Sequence, residues 1–253
     1  MGEVIVIASG KGGSGKTTVT AALSCSLAMR RKRVMALDAD VGLRNLDLAL
    51  GLADRAVFDF LDVINGRCSL EKASVCHPLV QSLYLLAAPQ LSYGELAQAF
   101  TPEVMDGMRA LCSELSRHYD YVLVDSPAGI GPGLLLAAAG ASSALIVATP
   151  DLACVRDADQ AAEVLLSLGI ERQRLIVNRV RPSLIDRGGA LNIDDVIDGI
   201  SVQLIGVIPE DESVTACLNA GQPLPLGKSR AARAVGNIAR RLCGERVELM
   251  KLR

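Results

Sequence analysis

Short apolar runs alternate with longer helical patterns almost to the end of the chain. Val4–Ala8, Arg33–Leu37, Leu83–Ala87, Tyr121–Val124, Ala144–Ala148, Leu175–Val177 and Leu204–Ile208 read as strands. Most are apolar at successive positions rather than alternate ones, which marks strands covered on both faces. Between them, Ser14–Arg31, Pro102 to about Ser116, Leu152–Leu168 and Ser229–Leu242 read as helices. Thr101 before Pro102 is a cap followed by proline at the first helical position, and Gly169 and Gly244 supply stops. Such βα alternation predicts one doubly wound, mostly parallel sheet with helices on both faces. No linker, repeat or low-complexity segment divides residues 1–253, so a single domain with a short tail from about 244 is expected. Arg181–Gly189, with Pro182, Ser183, Gly188 and Gly189, reads as the most mobile loop.

Composition narrows the core and the compartment. Half of the 253 residues are apolar, but only 3% are aromatic and Trp is absent, so the core is aliphatic. A net charge of -2 gives no global basic field, and nucleic acid is not expected as a partner. The seven Cys are scattered without a C-x-x-C pair, which excludes a disulfide framework, a zinc site and an iron–sulfur carrier's paired thiols. No secretory leader is recognisable, and Leu134–Ala148, the longest apolar candidate, is interrupted by Gly140, Ser142 and Ser143. A cytoplasmic protein is expected.

Gly10-Lys11-Gly12-Gly13-Ser14-Gly15-Lys16-Thr17 fits the phosphate-loop pattern G-x-x-x-x-G-K-S/T, and it stands where the mechanism requires, between a strand and a helix. Glycines let successive backbone N–H groups face phosphates, and the helix start adds its positive end. Lys16 is placed to reach the β- and γ-phosphates, and Thr17 to hold Mg2+ through its hydroxyl. Lys11 is not specified by the ordinary pattern; a second cation there could stabilise phosphate charge.

Carboxylates at strand ends extend the site. Ligands of open parallel sheets sit at the carboxyl ends of strands. One strand ends Leu37-Asp38-Ala39-Asp40 and another Val124-Asp125-Ser126-Pro127-Ala128-Gly129. Asp125 suits a magnesium role, Asp38 and Asp40 suit positioning of the attacking water, and Gly129 suits a backbone N–H that senses the γ-phosphate.

Together these pieces resemble the MinD/ParA ATPases. Gly10–Thr18, GKGGSGKTT, is similar to their deviant Walker A motif with Lys11 as its signature lysine; Asp38–Asp40 and Asp125–Gly129 are similar to their two switches. Asp40–Leu48, Val155–Asp159 and Gly206–Asp211 strengthen the likeness, which spans about residues 1–243. The resemblance implies an ATPase using ATP and Mg2+ that forms a homodimer with ATP and acts in division-site placement. Lys11 would reach the partner's phosphates, Asp40 would activate water, and Asp38 would couple a switch to the metal. Asn178 would read adenine, helped by Pro209, Glu210 and Asp211, while Arg44 and Asn45 would lie near a partner surface. A septum inhibitor and a regulator that stimulates hydrolysis are the implied partners.

Rival readings of the same fold are a DNA-partition ATPase, a flagellar-number ATPase and a metabolic ligase. The first would use a basic stripe; Arg230, Arg233, Arg240 and Arg241 on the last helix read instead as a solvated face. The family ends in a basic amphipathic membrane helix, and this chain stops at Arg253, about where that helix would begin. Val247, Leu249, Met250 and Leu252 would scatter around a helix axis, while Arg246, Lys251 and Arg253 would attract anionic lipid. Membrane association is therefore expected to be weak or partner-assisted, at the inner face of the cell membrane.

Overall fold

The computed structural model describes residues 1–53, 55–92, 94–222 and 228–251, so Leu252 and Arg253 of the tail lie outside the described residues. Among these, the strands are β1 (Glu3–Ala8), β2 (Val34–Asp38), β3 (Val75–Cys76), β4 (Leu83–Leu86), β5 (Tyr121–Asp125), β6 (Ser143–Ala148), β7 (Gln173–Val180) and β8 (Leu204–Pro209). They form one sheet in the order β3-β4-β2-β5-β1-β6-β7-β8. β3 is antiparallel to β4 at the edge; every other pairing is parallel.

The two-residue period of a strand sorts its side chains between two cores. In β1, Val4, Val6 and Ala8 join one buried cluster, while Ile5 and Ile7 join the other. Each face is then covered by helices. On the first lie α5 (Pro102–His118), α6 (Pro132–Ala138), α7 (Leu152–Ser167) and α9 (Ile193–Ile200); on the second lie α1 (Lys16–Met29), α2 (Leu46–Ala49), α10 (Glu212–Asn219) and α11 (Arg230–Leu242). Shorter helices α3 (Phe60–Ile64), α4 (Leu70–Ala73) and α8 (Pro182–Ile185) and a 3-10 turn at Leu96–Phe100 complete the connections.

Local chemistry sets these boundaries. In α5, Val104, Met108, Leu111, Cys112 and Leu115 recur at helical spacing and are all buried. Thr101 accepts from the Val104 N–H, with Pro102 at the first position, as the sequence indicates. α1 shows little sidedness because it is enclosed between the sheet and α11 and is buried from Val19 to Ala28. The segment 181–189 is more regular than a loop: Pro182 opens α8, and Gly188 and Gly189 return the chain through bonds to the Ile185 and Leu184 carbonyls. Parallel pairing puts the carboxyl ends of β1, β2, β5, β7 and β8 along one edge, where the candidate residues meet.

Candidate nucleotide site

The loop after β1 approaches α7 more closely than any side chain would permit. A Cβ on Gly10 would stand 1.9 Å from the Asp157 carbonyl oxygen. Gly12, Gly13 and Gly15 follow, the last two at φ 84° and 92°, in the left-handed region that favours glycine. α1 then starts at Lys16 with no side-chain cap, whereas α5, α7, α9 and α11 are each capped by Thr101, Asp151, Asn192 and Ser229. Its first N–H groups are left for an anion. The Ser14 hydroxyl, buried in the same loop, also has no partner.

Two lysines of the loop have opposite settings. Lys16 is buried, and its pKa is lowered by burial against the opposing pull of Asp125 and Asp40. Lys11 is exposed and, among the described residues, makes no ion pair. One cation thus faces its own loop and the other faces outward.

The carboxylates are brought together by strand register. Asp38 of β2 sits directly opposite Asp125 of β5. Both are almost completely buried. Burial, with Asp125 as a like charge beside it, pushes Asp38 up to about 8, while burial pushes Asp125 up to about 6 against hydrogen bonds from Thr17 and Thr20. Asp38 accepts from the N–H groups of Asp40 (3.0 Å) and Leu46 (3.1 Å), so it ties the segment after β2 to the start of α2. Asp40, half-buried, is raised by burial and lowered by Lys16. Two buried carboxylates crowding a threonine hydroxyl form a hard-oxygen set whose mutual repulsion a divalent cation would relieve; Mg2+ commonly takes one or two such ligands and completes its shell with phosphate and water. The residues present therefore fit magnesium and phosphate.

The segment after β5 is anchored to the first strand. Ser126 donates from both its N–H and its hydroxyl to the Ile7 carbonyl. Gly129, at φ 88°, does not offer a free amide as expected: its N–H donates to the Ser9 carbonyl at 3.3 Å. That bond is long, and a phosphate would have to take the donor from it.

A slot lies on the other side of the loop, where the resemblance puts the base. Gly15, Thr18, Asn178, Pro209, Glu210 and Asp211 line it, with Val19, Ala22, Ile208, Val214 and Leu218 as its apolar wall. A bulge in β7, with Arg179 at φ 56°, lets Asn178 turn towards the loop. There Nδ2 donates 2.8 Å to the Ser14 carbonyl, which leaves the amide oxygen for a ligand. Asp211 lines the slot while its carboxylate is engaged within the protein: one oxygen accepts from Ser213 and the other from the Ala231 N–H, which pins α10 and α11.

Sequence reasoning missed Thr20, which donates 2.8 Å to Asp125 and was detectable as the residue one turn beyond Thr17. The resemblance put Arg44 and Asn45 near a partner surface. The structure folds Arg44 back, at φ 41°, onto Asp47 (2.7 Å) and the Ala56 carbonyl, while Asn45, Leu43 and Leu48 remain exposed.

Comparison with known proteins agrees with this geometry. The family model described as the CobQ/CobB/MinD/ParA nucleotide binding domain matches residues 5–224. A septum site-determining protein MinD of Thermotoga maritima is 42% identical over 98% of this chain and 91% of its own length. The chain belongs to the MinD family. In line with that membership, the MinD chain of a MinC:MinD cell division complex from Aquifex aeolicus superposes with a TM-score of 0.89 at 40% identity, covering 98% of this chain and 99% of that one. A MinD of Pyrococcus horikoshii, solved with Mg-ADP, gives 0.85 at 29% identity over 96% of both chains. Membership in this family makes the chain a nucleoside triphosphatase of the MinD/ParA type, and its relatives' names concern septum placement.

Proposed function

We propose that the protein is a magnesium-dependent ATPase that dimerises on ATP and acts as a switch in division-site placement. The carrying observation is the meeting of buried Lys16, the uncapped start of α1 and the in-register Asp38–Asp125 pair. Loop N–H groups and Lys16 bind the β- and γ-phosphates. Thr17 and Asp125 would hold the metal, with Asp38 behind them; bound Mg2+ would neutralise charge developing on the phosphates. Asp40, close enough to Lys16 for each to shift the other's pKa, orients water. Lys11, free and outward, completes the site of a second copy. Asn178 and the Pro209–Asp211 turn take the base.

MinD relatives include one solved as a MinC:MinD complex, which supports a septum inhibitor as a partner of the dimer. A separate regulator stimulates hydrolysis. The chain acts as one ATPase domain with its short tail, in the cytoplasm, with weak or partner-assisted contact at the inner face of the membrane. No helix among the described residues is long and apolar enough to cross a membrane. Calorimetry with Mg-ATP tests the site: the native chain binds, and Lys16→Ala, lacking the buried cation, shows no heat of binding. Equal affinity in the two would overturn the assignment.

A further inference from the structure

The edge of the sheet opposite the nucleotide site is basic, although the chain as a whole carries a net charge of -2. The turn between α1 and β2 reads Arg30-Arg31-Lys32-Arg33. The end of α5 adds Arg117, the start of β7 adds Arg174, and the tail after α11 adds Arg246 and Lys251. Among the described residues, Arg31, Lys32, Arg117, Arg174, Arg246 and Lys251 make no ion pair. Three of the nearby acids are engaged within the protein: Glu3 pairs with Arg172, Asp120 accepts from the Arg33 N–H, and Glu245 pairs with Arg30 and Arg240; Glu114, Glu171 and Glu248 make no ion pair among the described residues, and the cations still outnumber them. Lys32 and Arg117 line one groove, so the turn and α5 present a continuous surface.

Helix ends favour cations, but that accounts for one or two per helix rather than a run of four. Arg31 shows a more specific preference. Its N–H bonds to the Ala28 carbonyl and that of Lys32 to the Leu27 carbonyl, which closes α1 in the manner that ordinarily uses glycine. Arg31 nevertheless occupies φ 63°, a conformation that disfavours any residue with a Cβ.

The tail is held on the same edge. Arg241 donates to the Val247, Glu248 and Ile205 carbonyls, and Met250 packs against the core of the α1 face. The described tail is thus irregular chain clamped beside the basic turn, with Leu249 exposed and Met29 exposed at the end of α1. Exposed aliphatic side chains between cations suit a lipid surface, whereas a groove for single-stranded nucleic acid would offer aromatic faces for stacking, and this edge shows none exposed among the described residues.

We propose that this basic edge, centred on Arg31 and Lys32, is a surface of the protein body that docks on an anionic lipid bilayer. The inference deepens the membrane part of the function proposed above and rests on it. Full-length protein with Mg-ATP is sedimented with vesicles of phosphatidylglycerol and phosphatidylcholine in equal parts, and with pure phosphatidylcholine vesicles. Arg31→Gly is expected to weaken partition to the anionic vesicles about fivefold, as for one lost surface charge, and Lys32→Glu more strongly. Arg31→Gly should at the same time raise the melting temperature by about 2–4 °C as strain is released, which separates loss of docking from loss of folding. Arg109→Gln, midway along α5, is the control and should change nothing. If the native chain binds neither vesicle, the membrane reading itself fails. Native binding to anionic vesicles that Arg31→Gly and Lys32→Glu leave unchanged overturns the docking edge alone, and so does retardation of duplex DNA that these variants abolish while vesicle binding persists.

Discussion

Removing the Asn178 amide tests two linked parts of the site at once. Its Nδ2 donates 2.8 Å to the Ser14 carbonyl inside the phosphate loop, and the same side chain lines the base slot. In Asn178→Ala the Ser14 carbonyl loses its buried donor, at a cost of about 1–3 kcal/mol. For a chain of this size that lowers the melting temperature of the nucleotide-free protein by roughly 2–4 °C per kcal/mol. Loss of one good hydrogen bond to the base, with a less constrained loop, should weaken ATP binding about tenfold, the equivalent of about 1.4 kcal/mol. GTP, which lacks the amino group that the Asn178 oxygen would accept from, should lose less. Melting without nucleotide and calorimetry with Mg-ATP and Mg-GTP give the two numbers separately. An unchanged melting temperature would refute the claim that Asn178 holds the loop, and an equal loss for both nucleotides would refute its role in reading adenine.

Two further outcomes follow from packing and charge. Gly10→Ala places a Cβ within 1.9 Å of the Asp157 carbonyl, so the loop must leave α7; melting should report a loss of at least about 1–3 kcal/mol together with weaker ATP binding, and an unchanged melting temperature would show the contact to be unimportant. His77 is buried and accepts at Nδ1 from the Leu79 and Val80 N–H groups, and burial lowers its pKa, so the folded protein holds it neutral. The unfolded chain gains that proton near pH 6.5; the stability His77 contributes is present above about pH 6.5 and falls as pH drops below it. His77→Asn should flatten this part of a melting-temperature profile, and an identical slope in the variant would exclude His77 as its source.

The phosphate loop was legible because its chemistry is local: eight consecutive residues carry the glycines, the lysine and the hydroxyl, between a recognisable strand and helix. The seven longer strands were equally visible, since burial on both faces leaves unbroken apolar runs. β3 was not, because two residues carry no period, and α2, α3 and α4 are too short to show helical spacing. The Asp38–Asp125 contact depends on register between strands distant in sequence, so each aspartate was found but the effect of Asp125 on the ionisation of Asp38 was not. The double commitment of Asp211 and the inward turn of Arg44 are likewise products of packing. Net charge concealed the basic edge, because acids elsewhere in the chain offset it in the sum.

The central claim is that ATP joins two copies through Lys11 while Asp40 serves hydrolysis. Molar mass measured by light scattering with Mg-ATP tests it most directly. The single chain is 26.6 kDa. Asp40→Ala, which keeps the phosphate cradle and loses the water-orienting carboxylate, should persist at twice that mass, and Lys11→Ala should stay at the single-chain mass. A monomeric Asp40→Ala or a dimeric Lys11→Ala would contradict the account.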